Sequence, residues 1–197
     1  MATEIELKAW ADNPPAVRSK LDSIAEFQGS FDKNDAYWFP KDEENHFLPK
    51  SGLRIRRETF IFPDGKSEEI IHVTYKVKEV QNGIEVNDEK EFDVSSAPEF
   101  EELLTRLGLE KGKFKHKKGR SYKYQGLTAE LTEIKDLGWF AELEILADNN
   151  RSETVSKARI RLLDFLAKIG IEEKKIETRY YTEMLESARE ERPRVQK

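Results

Sequence analysis

Charged side chains recur at every second position in several separate stretches of this chain. They are Glu4, Glu6 and Lys8 in EIELK, Arg54 and Arg56 in LRIR, Lys76 and Lys78 in TYKVK, Glu89 and Glu91 in NDEKE, Lys118 and Arg120 in KGR, and Glu142 and Glu144 in ELE. Residues two apart on a strand share a face, so each stretch, if extended, shows its charges to one side. Arginine in LRIR suits forked contacts to phosphate oxygens, for which a merely solvated face has no need. Spaced carboxylate pairs are hard oxygen donors that hold divalent cations such as magnesium while leaving the rest of the shell to water and phosphate. Bases beside acids in this pattern suit a metal-bound polyphosphate, in which the bases meet the anion and the acids hold the metal.

Other chemistries fit less well. Gly108 to Lys113 (GLEKGK) falls one residue short of a P-loop spacing and is followed by Phe114, so it is expected to be a turn after a helix. His46, His72 and His116 have no metal-ligand spacing, and no serine sits in a nucleophile elbow. The basic run KGKFKHKKGRSYKY interleaves aromatics with lysine as single-strand nucleic-acid binders do, but the acidic pairs elsewhere have no use in that reading. A net charge of −5 also argues against a general nucleic-acid binder.

The elements that must position these charges follow from apolar periodicity. EIELK is a strand, and Asn13 with Pro14 opens a helix whose stripe is Val17, Leu21, Ile24 and Ala25. FDKNDAYWF reads as a strand ending at Pro40, and residues 41–52 as a polar loop. LRIRRETFIF ends at Pro63-Asp64-Gly65, IIHVTYKVKEV alternates cleanly, and the Asn82-Gly83 turn leads into IEVNDEKEFDV. Ser96 and Pro98 open a second helix that stops at Gly108. Three more strands follow in FKHKKGRSYKY, GLTAELTEI and WFAELEIL, then a helix from Ser152 to about Gly170 and a last one carrying Tyr181, Met184, Leu185 and Ala188. No Pro-, Gly- or Ser-rich linker divides these elements, so residues 1–190 are expected to form one domain with a frayed tail over 191–197. Charged residues make up 37% of the chain, against about a quarter in average globular chains, yet apolar residues break them at regular spacing, which indicates a folded domain. There is no cysteine, which fits a reducing cytosol, and no run approaches a membrane span, so a cytoplasmic protein is expected.

If every strand has one apolar face, the alternating charges lie together on the other. An open sheet with a solvated charged face satisfies this, as does a barrel with a charged lumen and helices outside. The arginines and the paired acids favour the barrel.

The order of these segments resembles the CYTH proteins, or triphosphate tunnel metalloenzymes, which include class IV adenylyl cyclases and thiamine triphosphatases. EIELK fits their E-x-E-x-K signature, and LRIR, TYK at 74–76, Glu89 with Glu91, KGRSY at 118–122 and LGWFAELEI at 137–145 follow in the family's order. The C-terminal RYYTEML is similar to the helical segment of the cyclase branch. The resemblance implies an α+β fold built on a closed eight-stranded antiparallel barrel. It implies that Lys8, Arg54, Arg56, Lys76, Lys118 and Arg120 hold the triphosphate. Glu4, Glu6, Glu142 and Glu144, with Glu130 as an addition, are the implied ligands of Mg2+ or Mn2+, and Glu89 and Glu91 the supporting acids. A homodimer is implied as well, while neither nucleic acid nor membrane is an expected partner. Two departures weaken a cyclase assignment: Thr132 stands where that branch commonly has Asp, and Asn87 where an Arg often precedes the paired acids.

Conversion of ATP to cyclic AMP and pyrophosphate is therefore the leading expectation. Hydrolysis of thiamine triphosphate, a nucleoside triphosphate or inorganic triphosphate is the alternative, with Lys8 as its candidate general base. A non-catalytic polyphosphate- or nucleotide-binding module is a third reading.

Overall fold

The structure is a computed structural model that describes residues 3–41, 51–81 and 83–191. Residues 42–50 of the expected polar loop, His46 among them, lie outside the described residues, as do Asn82 of the expected turn and the tail after residue 191.

Eight strands form the wall: β1 (Thr3–Trp10), β2 (Glu26–Pro40), β3 (Ser51–Ile61), β4 (Ser67–Gln81), β5 (Ile84–Asp93), β6 (Leu109–Tyr124), β7 (Leu127–Ile134) and β8 (Gly138–Ala147). Their order around the ring is β5-β4-β3-β2-β6-β7-β8-β1, and β1 closes it by pairing with β5. All neighbouring pairs are antiparallel; at the closing seam Ile5 faces Val86 and Glu6 faces Glu85. The closed antiparallel barrel with helices outside is the expected fold. A short ninth strand, β9 (Ile176–Glu177), was not foreseen; it pairs with Lys8 and Ala9 of β1.

Alternation sets the two faces of the wall. Ile5, Leu7 and Ala9 point outward into the main apolar core, so Glu4, Glu6 and Lys8 point into the lumen. That core is covered by α1 (Pro14–Ile24) and α3 (Ser152–Lys168), whose Val17, Leu21, Leu162 and Phe165 pack on Leu7, Leu143 and their neighbours. Helix α1 starts as its sequence dictates: the Asn13 side chain accepts a bond from the Ala16 amide, and Pro14 occupies the first turn. Helix α2 (Ala97–Arg106) is capped by Ser96 and covers a second cluster formed by Trp38, Ile55 and Val73. It ends at Gly108, whose φ of +85° is the left-handed conformation that favours glycine. The expected turn does not extend beyond that glycine: Leu109 already pairs with Pro40, and residues 109–113 belong to β6. A long β2 offers partners this far along, and ladder bonds to it outweigh the glycine at 112.

The last helix, α4 (Tyr181–Glu191), does not lie on the wall's flank like the others. Tyr181 and Met184 pack with Phe140 and Trp10 at one end of the barrel.

Leu7 is fully buried between wall and helices. Leu7→Ala should therefore destabilise the fold by about 2–5 kcal/mol, read as a loss in urea midpoint at unchanged m-value. A change below about 0.5 kcal/mol would contradict this packing.

Candidate active site

The lumen is lined by bases, each held by an acid. Toward the end occupied by α4, Lys8 and Lys78 share Glu85 at 2.9 and 2.5 Å. Asp35 grips the Arg56 guanidinium with both oxygens, at 2.7 and 3.0 Å, and also meets Lys115 at 3.0 Å. Midway, Lys33 bonds Glu130 at 2.7 Å, and Lys117 bridges Glu130 at 3.0 Å and Glu142 at 2.6 Å. Toward the other end, Lys76 lies 2.7 Å from Glu4, 3.4 Å from Glu6 and 2.7 Å from Glu89. There Arg54 donates to Thr74 at 2.8 Å and approaches Glu91 at 3.4 Å. Exposure rises along this path, from 4% for the Lys8 side chain to 43% for Glu91, so the lumen opens at the end opposite α4.

Of the residues anticipated from sequence, Glu4, Glu6, Lys8, Arg54, Arg56, Lys76, Glu89, Glu91, Glu130, Glu142 and Glu144 face the lumen. Lys118 and Arg120 do not, which corrects the expectation. Lys118 is 60% exposed on the outer face, 3.5 Å from Glu133. Arg120 stacks on the Phe27 ring at 4.0 Å and bonds Tyr122, which in turn bonds Asp22 of α1. The physical reason is parity: Lys118 and Arg120 share their face with Tyr122, which is buried in the outer core, so the lumen receives Lys115 and Lys117 instead. Sequence reasoning missed these two lysines and Lys33, although the position of Tyr122 in the same strand could have revealed the first two.

The two departures have visible consequences. Asn87 is fully buried and donates to Glu4 at 3.0 Å, without the charge an arginine would bring. Thr132 is fully buried and donates to the Lys118 carbonyl at 3.4 Å, so that position supplies no carboxylate.

Electrostatics divide the acids into two sets. Burial raises the Glu142 carboxyl, but the Lys117 ammonium outweighs it and holds Glu142 down to about 2. Glu130 is depressed in the same way, against its burial, by Lys117 and Lys33. Glu144 has no hydrogen-bonding or ionic partner among the described residues; burial first, then Glu4 and Glu6, push it up to about 8. Burial raises Glu6 to about 7 despite Lys76, and Glu4 is raised as well.

The second set fits a divalent cation. Glu4, Glu6 and Glu144 are hard oxygen donors that destabilise one another as anions, which a cation between them would relieve. Among the described residues, no group of three or more acidic or histidine side chains forms a ready-made metal cage. These residues therefore suit an ion that completes its shell with water and phosphate oxygens. Two buried polar atoms on the same side support a ligand there: Arg54 Nε lacks an acceptor and Asn87 Oδ1 lacks a donor.

A closed antiparallel barrel whose lumen carries bases and acids together defines a triphosphate tunnel protein. A family model described as the CYTH domain matches residues 2–181, and the chain belongs to that family. No curated protein matches it. Among solved structures it is similar to the PH1819 protein of Pyrococcus horikoshii, with 27% identity and a TM-score of 0.79 over 93% of this chain and 99% of that one. A protein of Vibrio parahaemolyticus described as a candidate adenylate cyclase has 19% identity and a TM-score of 0.74, covering 93% of this chain and 97% of its own. HpAC1 from Hippeastrum, described as having a dominant triphosphatase activity, has 16% identity and a TM-score of 0.63 over 95% and 96% of the two chains. The last two likenesses speak to the fold alone. No helix among the described residues is long and apolar enough to cross a membrane.

The two sets of acids predict how stability follows pH. Glu6 and Glu144 have folded-state values above the ordinary carboxylate range, so their contribution is complete at low pH and is lost as pH rises through about 7 and about 8. Glu142 contributes in the opposite sense, but its loss comes only on acidification toward about 2. In metal-free buffer the melting temperature should fall between about pH 5 and about pH 8, and Glu144→Gln should flatten the slope. A melting temperature that rises across this interval in the wild type would contradict the assignment.

Proposed function

We propose that this protein is a divalent-metal-dependent enzyme that turns over an organic triphosphate inserted terminal phosphate first into the lumen. The observation that carries this reading is the polarity of the lumen. Lys8, Lys78 and Lys115 gather at the end closed by α4, whereas Glu4, Glu6 and Glu144 lie farther toward the open end. Lysines at the closed end receive the terminal phosphate, and Lys76 with Arg54 holds the chain nearer the mouth. The α-phosphate then lies beside the acids whose mutual repulsion a metal would relieve. Glu4, Glu6 and Glu144 would hold a divalent metal there, which would supply charge neutralisation and a lowered pKa for the attacking hydroxyl.

In that register cyclisation is the reaction best supported. The ribose 3′-oxygen bonds the α-phosphorus as the bond from that phosphorus to the bridging oxygen breaks. Pyrophosphate leaves with its charge spread over the closed-end lysines, and the hydroxyl proton passes out through the open end. The chain's own contribution is to hold the phosphates in line and to exclude water from the lysine-lined end.

One observation supports hydrolysis as a second reading. Glu142, kept ionised by Lys117, sits opposite Lys8 and accepts a bond from Tyr181 of α4, so it borders the closed end, where it could orient a water toward the terminal phosphorus. Lys8 is less suited to the base role than to holding phosphate, because Glu85 pairs with it at 2.9 Å.

Incubation with ATP, GTP, thiamine triphosphate or inorganic triphosphate, with Mg2+ or Mn2+, followed by anion-exchange separation, distinguishes the reactions. Cyclic nucleotide with pyrophosphate is expected; phosphate with a diphosphate would replace cyclisation by hydrolysis. Glu144→Gln, which removes a proposed metal ligand, should lower metal-dependent turnover by about a hundredfold or more with the fold retained. Wild-type rates in that variant would overturn the site.

A further inference from the structure

Tyr181 is a buried polar group that the reaction as described does not use. It is 9% exposed, and its hydroxyl donates to Glu142 Oε1 at 2.7 Å. Its ring centre lies 5.3 Å from Lys8 Nζ and 5.2 Å from Lys115 Nζ, and it packs edge-on against Phe140 with centroids 4.9 Å apart. The ring of Tyr180, the preceding residue, is 3.9 Å from Lys78 Nζ. Two consecutive tyrosines thus touch lumen side chains from β1, β4, β6 and β8, strands from opposite parts of the ring. The chain leading to them is pinned: β9 pairs with Lys8 and Ala9, and the Thr178 carbonyl accepts from Lys78 at 3.1 Å.

This end of the lumen is therefore lined by lysines and stopped by an aromatic ring. An unsubstituted terminal phosphate offers those lysines three oxygens and carries no substituent toward the ring. A phosphate esterified at that position loses an acceptor and places its substituent where the Tyr181 ring stands. We propose that Tyr181 is a specificity-determining end stop: the lumen takes linear triphosphates with at least one unsubstituted terminal phosphate and rejects those substituted at both ends. The proposal rests on the inward-pointing triphosphate of the proposed function.

Three probes of one chain length test it: inorganic tripolyphosphate, substituted at neither end; ATP, substituted at one; and the γ-methyl ester of ATP, substituted at both. Equilibrium binding is measured by calorimetry in calcium, for the wild type, Tyr181→Phe and Tyr181→Leu. The wild type should bind the ester at least about tenfold more weakly than ATP. Tyr181→Phe, which keeps the ring and loses only the bond to Glu142, should keep that gap. Tyr181→Leu should close it to about twofold or less, and comparing the same two ligands in each variant cancels their difference in charge. Wild-type binding of both nucleotides with equal affinity would overturn the end stop and leave the triphosphate site standing. Absence of binding by all three probes would overturn both. A gap that survives in a folded Tyr181→Leu, with its cooperative melt intact, would also overturn the assignment to Tyr181. If that variant does not fold, Tyr181→Met, which also removes the ring but keeps more of its volume, takes its place with the same two outcomes.

Discussion

The pairing of β1 with β5 is the contact on which the rest depends. Without it the sheet has two open edges, and the alternating charges lie on a face bathed in water, where ion pairs are worth little. Closing the ring at Ile5 and Val86 places the same side chains in a confined space, where each charge acts strongly on the next. The outward alternates of β1 serve the same closure, because Ile5, Leu7 and Ala9 give the helices an apolar surface to cover. One strand thereby links the core to the site, and a slip of one residue in its register would exchange the two.

Confinement explains why the lumen holds so many acids. Buried ammonium and guanidinium groups are costly unless paired, and Asp35, Glu85 and Glu130 are each shared between two bases. Such sharing leaves every base partly satisfied and ready to exchange a carboxylate oxygen for a phosphate oxygen. It also leaves Glu144 with no partner among the described residues. On the proposed function, a metal and a triphosphate complement each other here, because each would offset charge that the other's ligands leave behind.

Much of this was legible in the sequence where alternation was clean. Over Ile5–Ala9 of β1, Ile71–Val77 of β4 and Ala141–Ile145 of β8 apolar residues alternate with polar ones, so Glu4, Glu6, Lys76, Glu142 and Glu144 could be assigned to one face from the chain alone. β6 was harder because lysine occurs on both of its faces, at 115, 117 and 118, and the attractive Lys-x-Arg spacing fell on the wrong one. Tyr122 decides the matter, since its ring must join the outer core and it carries Arg120 with it. Lys33 was hidden for a different reason: β2 has acids and aromatics on both faces, and a register shift between Phe27 and Gly29 interrupts its alternation. The closure of one end by Tyr181 depends on where α4 packs, which the local pattern of a helix does not specify.

The central claim is that the charges inside the ring, and not those outside it, bind the triphosphate. Neighbouring residues on β6 test it most directly: Lys117 points into the lumen and Lys118 away from it. Binding of tripolyphosphate in magnesium should weaken by at least about tenfold in Lys117→Ala and change by less than about twofold in Lys118→Ala. Equal losses in the two variants, or a loss confined to Lys118→Ala, would contradict the account.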